Sequence, residues 1–249
     1  MSATTSQIPT DAGDLPGLLW LPENLEQPVP GLVVLQEIFG LSPYMQQRCA
    51  DLAALGYAVL APQLFARLDP PVVGVEDGDD AEAWLAEGMA LAERLPWERA
   101  EADALASLNA LRAQGAVETE RVGVIGFCYG GGLAFAATAA ATLEGRAPSV
   151  LVSYYGSALP SLLEQAAHVR VPSLHHIGTA DDFIPLGTAQ QIREAVTAGG
   201  TRDQVRFELH EGAGHAFDNP HPFVHHAPAS EEAWQQTVGF LAETLPTRP

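Results

Sequence analysis

Lysine is absent from this sequence: all 12 basic residues are arginine, set against 31 acidic ones, and the formal net charge is −19. Without lysine there is no Schiff-base amine and no P-loop ammonium for a nucleotide phosphate. Without a basic surface nothing can neutralise a phosphate backbone, which argues against nucleic acid as a partner. The same charge repels anionic membrane surfaces. Cysteine is nearly missing as well. Cys49 and Cys128 are the only two, too few for a disulfide framework, so each must serve packing or chemistry. No stretch reaches the ~18 uninterrupted apolar residues of a membrane span. Residues 1–17 have neither the basic nor the apolar region of an export signal. The expectation is a cytoplasmic protein in a reducing compartment.

What is present is enough apolar residue for a core. At 47% hydrophobic and 17% charged, the 249 residues suit one large globular domain. Short apolar or β-branched runs at residues 32–35, 57–61, 122–125, 150–154, 173–177 and 205–210 alternate with segments of helical spacing at 43–55, 81–94, 97–112, 129–143, 188–198 and 231–245. Strand and helix in alternation predict an α/β fold, a mostly parallel central sheet with helices on both faces, because parallel neighbours need crossover connections. Residues 15–21 could add an edge strand, although Pro16 and Pro22 bracket them. A single domain is expected over residues 1–249, with a flexible stretch over 1–14. Residues 69–80, rich in acids, proline and glycine, read as an exposed loop.

One segment carries chemistry. Gly126-Phe127-Cys128-Tyr129-Gly130 lies between an expected strand and an expected helix and matches the GxSxG turn with sulfur in place of oxygen. A nucleophile there sits on a sharp turn, so small residues two before and two after it let strand and helix approach. The next helix directs its positive end at the thiol and gives Tyr129 a backbone N–H aimed at a developing oxyanion. Read as packing, Cys128 is simply a small buried hydrophobe. Its partners favour chemistry. An acid follows the strand at 173–177, in Gly178-Thr179-Ala180-Asp181-Asp182, and a histidine follows the strand at 205–210, in Gly212-Ala213-Gly214-His215. Nucleophile, acid and histidine thus come in the chain order known for this kind of turn, each after a strand. Spacing alone leaves Asp181 and Asp182 as rival acids.

Three segments together resemble the dienelactone hydrolase family of the α/β-hydrolase superfamily: Gln36-Glu37-Ile38-Phe39-Gly40, Gly126-Phe127-Cys128-Tyr129-Gly130-Gly131, and Gly212-Ala213-Gly214-His215-Ala216-Phe217. The resemblance implies a triad of Cys128, Asp181 and His215, and so decides for Asp181. It implies that Glu37 lies beside the resting thiol and trades a hydrogen bond or proton with it. It implies the backbone N–H of Ile38 as a second oxyanion donor beside that of Tyr129. The activity implied is cofactor-free hydrolysis of small esters or lactones through a thioester acyl-enzyme, by a monomer or small homo-oligomer. A peptidase, an acyltransferase or a thiol-based sensor could use the same scaffold.

One departure from the family bears on substrate. Members that hydrolyse dienelactone hold its carboxylate with two arginines, one after the second core strand and one shortly after the histidine. Here residues 68–93 contain no basic residue, and Asp218 and Asn219 follow Phe217, so neutral substrates are expected over anionic ones. Arg67, Arg94 or a nearby histidine could substitute. Paired and clustered histidines (His175, His176, His221, His225, His226) lack any recognised metal spacing, and no metal is expected. Cys49 sits in an amphipathic pattern with Met45, Leu52 and Leu55 and reads as core.

Overall fold

The structure, a computed structural model, describes residues 2–23, 25–75 and 78–247. Glu76 and Asp77 of the expected acidic loop lie outside the described residues. The chain divides into two compact units, Met1–Val124 with Thr247–Pro249, and Ile125–Pro246.

The first unit contains β1 (Thr4–Ile8), β2 (Leu15–Trp20), β3 (Val29–Leu35), α1 (Pro43–Ala54), β4 (Ala58–Pro62), α2 (Ala81–Arg94), α3 (Trp97–Arg112) and the start of β5 (Val117–Phe127). Its strands lie in the order β1-β2-β4-β3-β5. β3 and β4 are parallel, whereas β2 is antiparallel to both of its neighbours. Leu32 to Leu35 and all five residues of β4 are buried, the near-continuous apolar run expected of strands covered on both faces. Ser42 caps α1 by accepting the Met45 N–H, and Asp80 caps α2 by accepting those of Glu82 and Ala83. Cys49 is buried on the inner side of α1 with Met45 and Leu52.

Two features of this unit depart from the sequence expectation. Residues 1–14 are not loose throughout, because β1 pairs with β2 from Thr4↔Leu19 to Ile8↔Leu15 and Ile8 is buried. Arg67 ties down the turn between these two strands: its guanidinium donates to both Asp103 oxygens at 2.9 Å, to Thr10 Oγ1 and to the carbonyls of Ala12 and Gly13. Nor is β2 an edge strand, since it pairs with β4 through Gly17↔Pro62 to Trp20↔Val59. Pro16 is tolerated because it stands just before that ladder begins and needs no N–H for it.

The second unit contains the end of β5, α4 (Tyr129–Leu143), β6 (Leu151–Tyr154), β7 (Ser173–Gly178), α5 (Leu186–Thr197), β8 (Val205–His210) and α6 (Ala227–Thr244). The strand order is β5-β6-β7-β8, with β6, β7 and β8 parallel. α4 is apolar all round, and twelve of its residues from Tyr129 to Ala141 are buried. Its glycines serve close approach: a Cβ on Gly131 would meet Gly156 Cα at 2.8 Å, and one on Gly132 would meet Ala158 Cβ at 2.6 Å. Among the described residues no helix is long and apolar enough to cross a membrane. The fold is therefore α/β with mostly parallel strands, and the C-terminal ends of β5, β7 and β8 lead into the loops that matter.

Candidate active site

Cys128 follows β5 directly and occupies φ 53°, ψ −113°, a conformation that non-glycine residues rarely adopt. Such a residue costs on the order of 1–3 kcal/mol and persists only when its surroundings over-determine it. They do so here. The Cys128 N–H donates to the Tyr154 carbonyl at 3.0 Å, and its own carbonyl accepts from Gly131, Gly132 and Ser157 at 3.0, 3.3 and 3.1 Å. The turn is so tight that a Cβ on Gly126 would lie 1.9 Å from the Gly130 carbonyl oxygen. Tyr129 is the first residue of α4, a position whose N–H has no acceptor within a helix.

The acid and the histidine come from loops that brace each other. Asp181 is 3% exposed, and its Oδ1 accepts the N–H groups of Phe183 and Ile184 at 2.8 and 2.9 Å. That fixes the carboxylate and leaves Oδ2 for His215 Nδ1, at 2.8 Å. His215 Nε2 lies 3.1 Å from Cys128 Sγ. Asp182, one residue on, is exposed. Around this pair the Thr179 and Ala180 N–H groups donate to the carbonyls of His210 and Ala213, and the Gly212 N–H donates to Thr179 Oγ1. Gly178 is the hinge of the arrangement: a Cβ there would stand 2.1 Å from the Ala213 oxygen. The three side chains implied by the sequence thus form one hydrogen-bonded line, Asp181–His215–Cys128.

Burial by itself would lower the His215 pKa. The electrostatic interaction with Cys128 and the hydrogen bonds to Asp181 and Cys128 outweigh it and hold the imidazole up to about 10. The ring is also gripped by aromatics, with Tyr155 edge-on at 5.4 Å between centroids and Phe183 tilted at 4.8 Å. Neither ring is singled out by the sequence. The only signal was position, Tyr155 directly after β6 and Phe183 two residues beyond the acid. Tyr155 is itself at φ 37°, fully buried, with its N–H donated to His176 O at 2.7 Å.

Behind these loops lies a buried polar chain. His176 Nδ1 meets His210 Nε2 at 3.0 Å, His176 Nε2 meets Thr237 Oγ1 at 3.1 Å, and Thr237 Oγ1 meets Tyr154 Oη at 2.7 Å. Desolvation pushes the pKa values of His175 and His176 down, that of His175 to about 4, and lowers that of His210. Among the described residues no group of three or more histidine, cysteine, aspartate or glutamate side chains is placed to hold a metal ion.

Glu37 and Ile38 belong to the first unit. Glu37 is completely buried in a short turn closed by the Gly40 N–H on its own carbonyl at 3.1 Å, and Ile38 is 6% exposed. A solvated strand-end charge is thereby ruled out for Glu37. Two arginines that could have replaced the missing clamp have structural duties: Arg67 in holding Asp103 and the β1–β2 turn, and Arg94 in donating to the Asp69 carbonyl at 2.7 Å.

Comparison with known proteins agrees with this reading of the fold. Residues 15–245 match the dienelactone hydrolase family. A carboxymethylenebutenolidase from Pseudomonas putida is 30% identical over 222 residues, 89% of each chain. Another, from Pseudomonas sp. strain P51, is 35% identical over 192 residues, 76% of this chain and 74% of the relative. Among solved structures, the dienelactone hydrolase-like promiscuous phosphotriesterase P91 from metagenomic libraries superposes with a TM-score of 0.75 at 24% identity, covering 98% of both chains. That last likeness shows the fold alone.

Proposed function

The chain belongs to the dienelactone hydrolase family, whose members here are ester and lactone hydrolases, and from that premise we propose that it cleaves small carboxylic esters or lactones with Cys128 as nucleophile. The observation that carries this reading is the line from Asp181 Oδ2 through His215 to Cys128 Sγ, with spans of 2.8 and 3.1 Å, set on a strained strand-to-helix turn. His215 Nε2 takes the Cys128 proton, the sulfur attacks the acyl carbon, and the carbonyl electrons move onto oxygen. The backbone N–H of Tyr129 receives that oxyanion, and the family resemblance gives Ile38 the role of second donor. As the carbon–oxygen bond breaks, His215 Nε2–H gives its proton to the departing alkoxide, leaving a thioester. Water then adds to the thioester, His215 accepts its proton, and the thiolate leaves as the carboxylic acid is released. Asp181 holds the imidazole in the tautomer and orientation that both steps need. The family resemblance gives Glu37 the further task of trading a hydrogen bond or proton with the Cys128 sulfur. No cofactor takes part.

A chromogenic short-chain ester tests this reading. Cys128→Ala should lose turnover by about 10³-fold or more while keeping stability within about 1–2 kcal/mol, since the side chain is small and its task is chemical. Wild-type protein quenched during turnover should carry one acyl group on Cys128 by mass. Retention of most of the wild-type kcat by the folded variant would sink the assignment. Stoichiometric acylation without turnover would instead mark a thiol sensor on the same scaffold. In Glu37→Gln, the rate of Cys128 alkylation by iodoacetamide should change its pH profile, and an unchanged profile removes Glu37 from the mechanism.

A further inference from the structure

In acylation the leaving oxygen comes within hydrogen-bond distance of His215 Nε2, so the rest of the leaving group begins at the imidazole and extends along whatever borders it. A cavity of about 360 Å³ borders it, with His215, Asp182, Phe183, Phe223, His225 and His226 among its walls. That volume suits a single small ring with substituents.

The walls have a definite chemistry. Phe183 and Phe223 are 51% and 48% exposed, two large rings left in water beside a proton-transferring imidazole. Both are held in place. The Phe183 N–H is bound to Asp181 Oδ1 at 2.8 Å by the same turn that fixes the acid, and its ring lies 4.8 Å from that of His215. The Phe223 ring lies 4.8 Å from that of His221, whose N–H is bound to Asn219 Oδ1 at 2.9 Å. Rigid exposed aromatics favour a flat aromatic partner, because stacking and edge contacts add to the area they bury. The polar groups point the same way. Asp182 is an exposed carboxylate, and no arginine stands among the described residues of the cavity wall. His226 Nδ1 accepts the Ala229 N–H at 3.3 Å, so its ring proton is on Nε2, where it can donate to a neutral polar substituent.

We propose that this cavity is the leaving-group subsite, that it takes a neutral aromatic alcohol, and that Asp182 turns away a leaving group bearing a carboxylate. The proposal rests on the reading of the chain as a hydrolase. Three acetate esters share one acyl group and so isolate the leaving group: phenyl acetate, the acetate of a fluorinated alkyl alcohol of matched acidity, and 4-carboxyphenyl acetate. The readout is kcat/KM, which ends at acylation. The aryl-to-fluoroalkyl ratio should fall about tenfold in Phe223→Ala and in Phe183→Ala, the loss of one aromatic contact. In Asp182→Asn the rate with 4-carboxyphenyl acetate should rise several-fold relative to phenyl acetate. An equal fall on the aryl and fluoroalkyl esters would overturn the subsite, because it would mean that the rings only prop the imidazole. An unchanged ratio in both phenylalanine variants would overturn it too, and an unresponsive Asp182→Asn would overturn the charge selection. Absence of turnover of all three esters by the wild-type protein is a different failure, that of the hydrolase reading itself.

Discussion

His215 is where the charge of the site resides. Its imidazole would ordinarily titrate near 6.5, and burial pulls it lower, yet the Cys128 sulfur and Asp181 carry it up to about 10. A folded-state value above the unfolded one means that the native state holds its proton more tightly. The stabilisation from this group is complete below about pH 6.5 and is withdrawn as the pH rises through 10. The imidazolium is also the acid that releases the leaving group, so kcat/KM should fall on the alkaline side as the pH rises through about 10. Histidine side-chain NMR should place this titration near 10 in the wild-type protein. In Cys128→Ala it should drop by at least about one unit, equivalent to about 1.4 kcal/mol of lost charge interaction. A wild-type His215 that titrates in the ordinary range would show that no resting charge pair exists.

Loops carry the geometry at the next scale up, and the acid and histidine loops behave as one piece because Gly178 lets the Ala213 carbonyl approach β7. Gly178→Ala should force them apart, since its Cβ would stand 2.1 Å from that oxygen. The expected loss is about 10²-fold in kcat/KM, the scale set by an ångström-sized misplacement of a catalytic group. Gly187 in α5 is the control: a Cβ there meets nothing within 4 Å, so Gly187→Ala should be neutral or mildly stabilising. Equal activity in the two variants would show that the loops are not coupled through residue 178. This scale also shows what a sequence can and cannot disclose. The strand–turn–helix around Cys128 is legible because glycines at 126 and 130 meet a steric demand local to the chain. The choice between Asp181 and Asp182 is not, because it turns on loop dihedrals; in the structure Oδ2 of Asp181 faces His215 while Asp182 is exposed. β1 and the interior place of β2 were hidden for another reason: their partners are long-range, and Pro16 carries an edge-strand signal that its actual position outside the β4 ladder cancels.

Over the whole molecule, acid should act in two opposing ways. Protonating carboxylates relieves the self-repulsion of a chain with net charge −19. Protonating buried histidines does the reverse. His175, His176 and His210 are held below 6.5 when folded, so the unfolded chain binds more protons and stability falls as the pH drops beneath that value. His175 is the simplest to isolate, since burial alone lowers it and its ring stacks on Phe207 and meets the edge of Phe135. Between pH 6.5 and about 4 it should cost up to about 1.4 kcal/mol per pH unit. His175→Gln removes that proton while leaving the carboxylates alone. Thermal melts across this range should show a shallower acid loss in the variant, and parallel curves would mean that His175 titrates normally.

The line from sulfur to imidazole spans 87 positions in the chain. A ribosome adding about 5–20 residues per second takes roughly 4 to 17 s to cover that distance. During that interval the growing polypeptide displays a thiol whose proton acceptor has not yet been made. An unassisted thiol near neutral pH is mostly protonated and slow to acylate. Reactivity therefore cannot precede residue 215, and a nascent chain stalled before that point should leave ester substrates untouched.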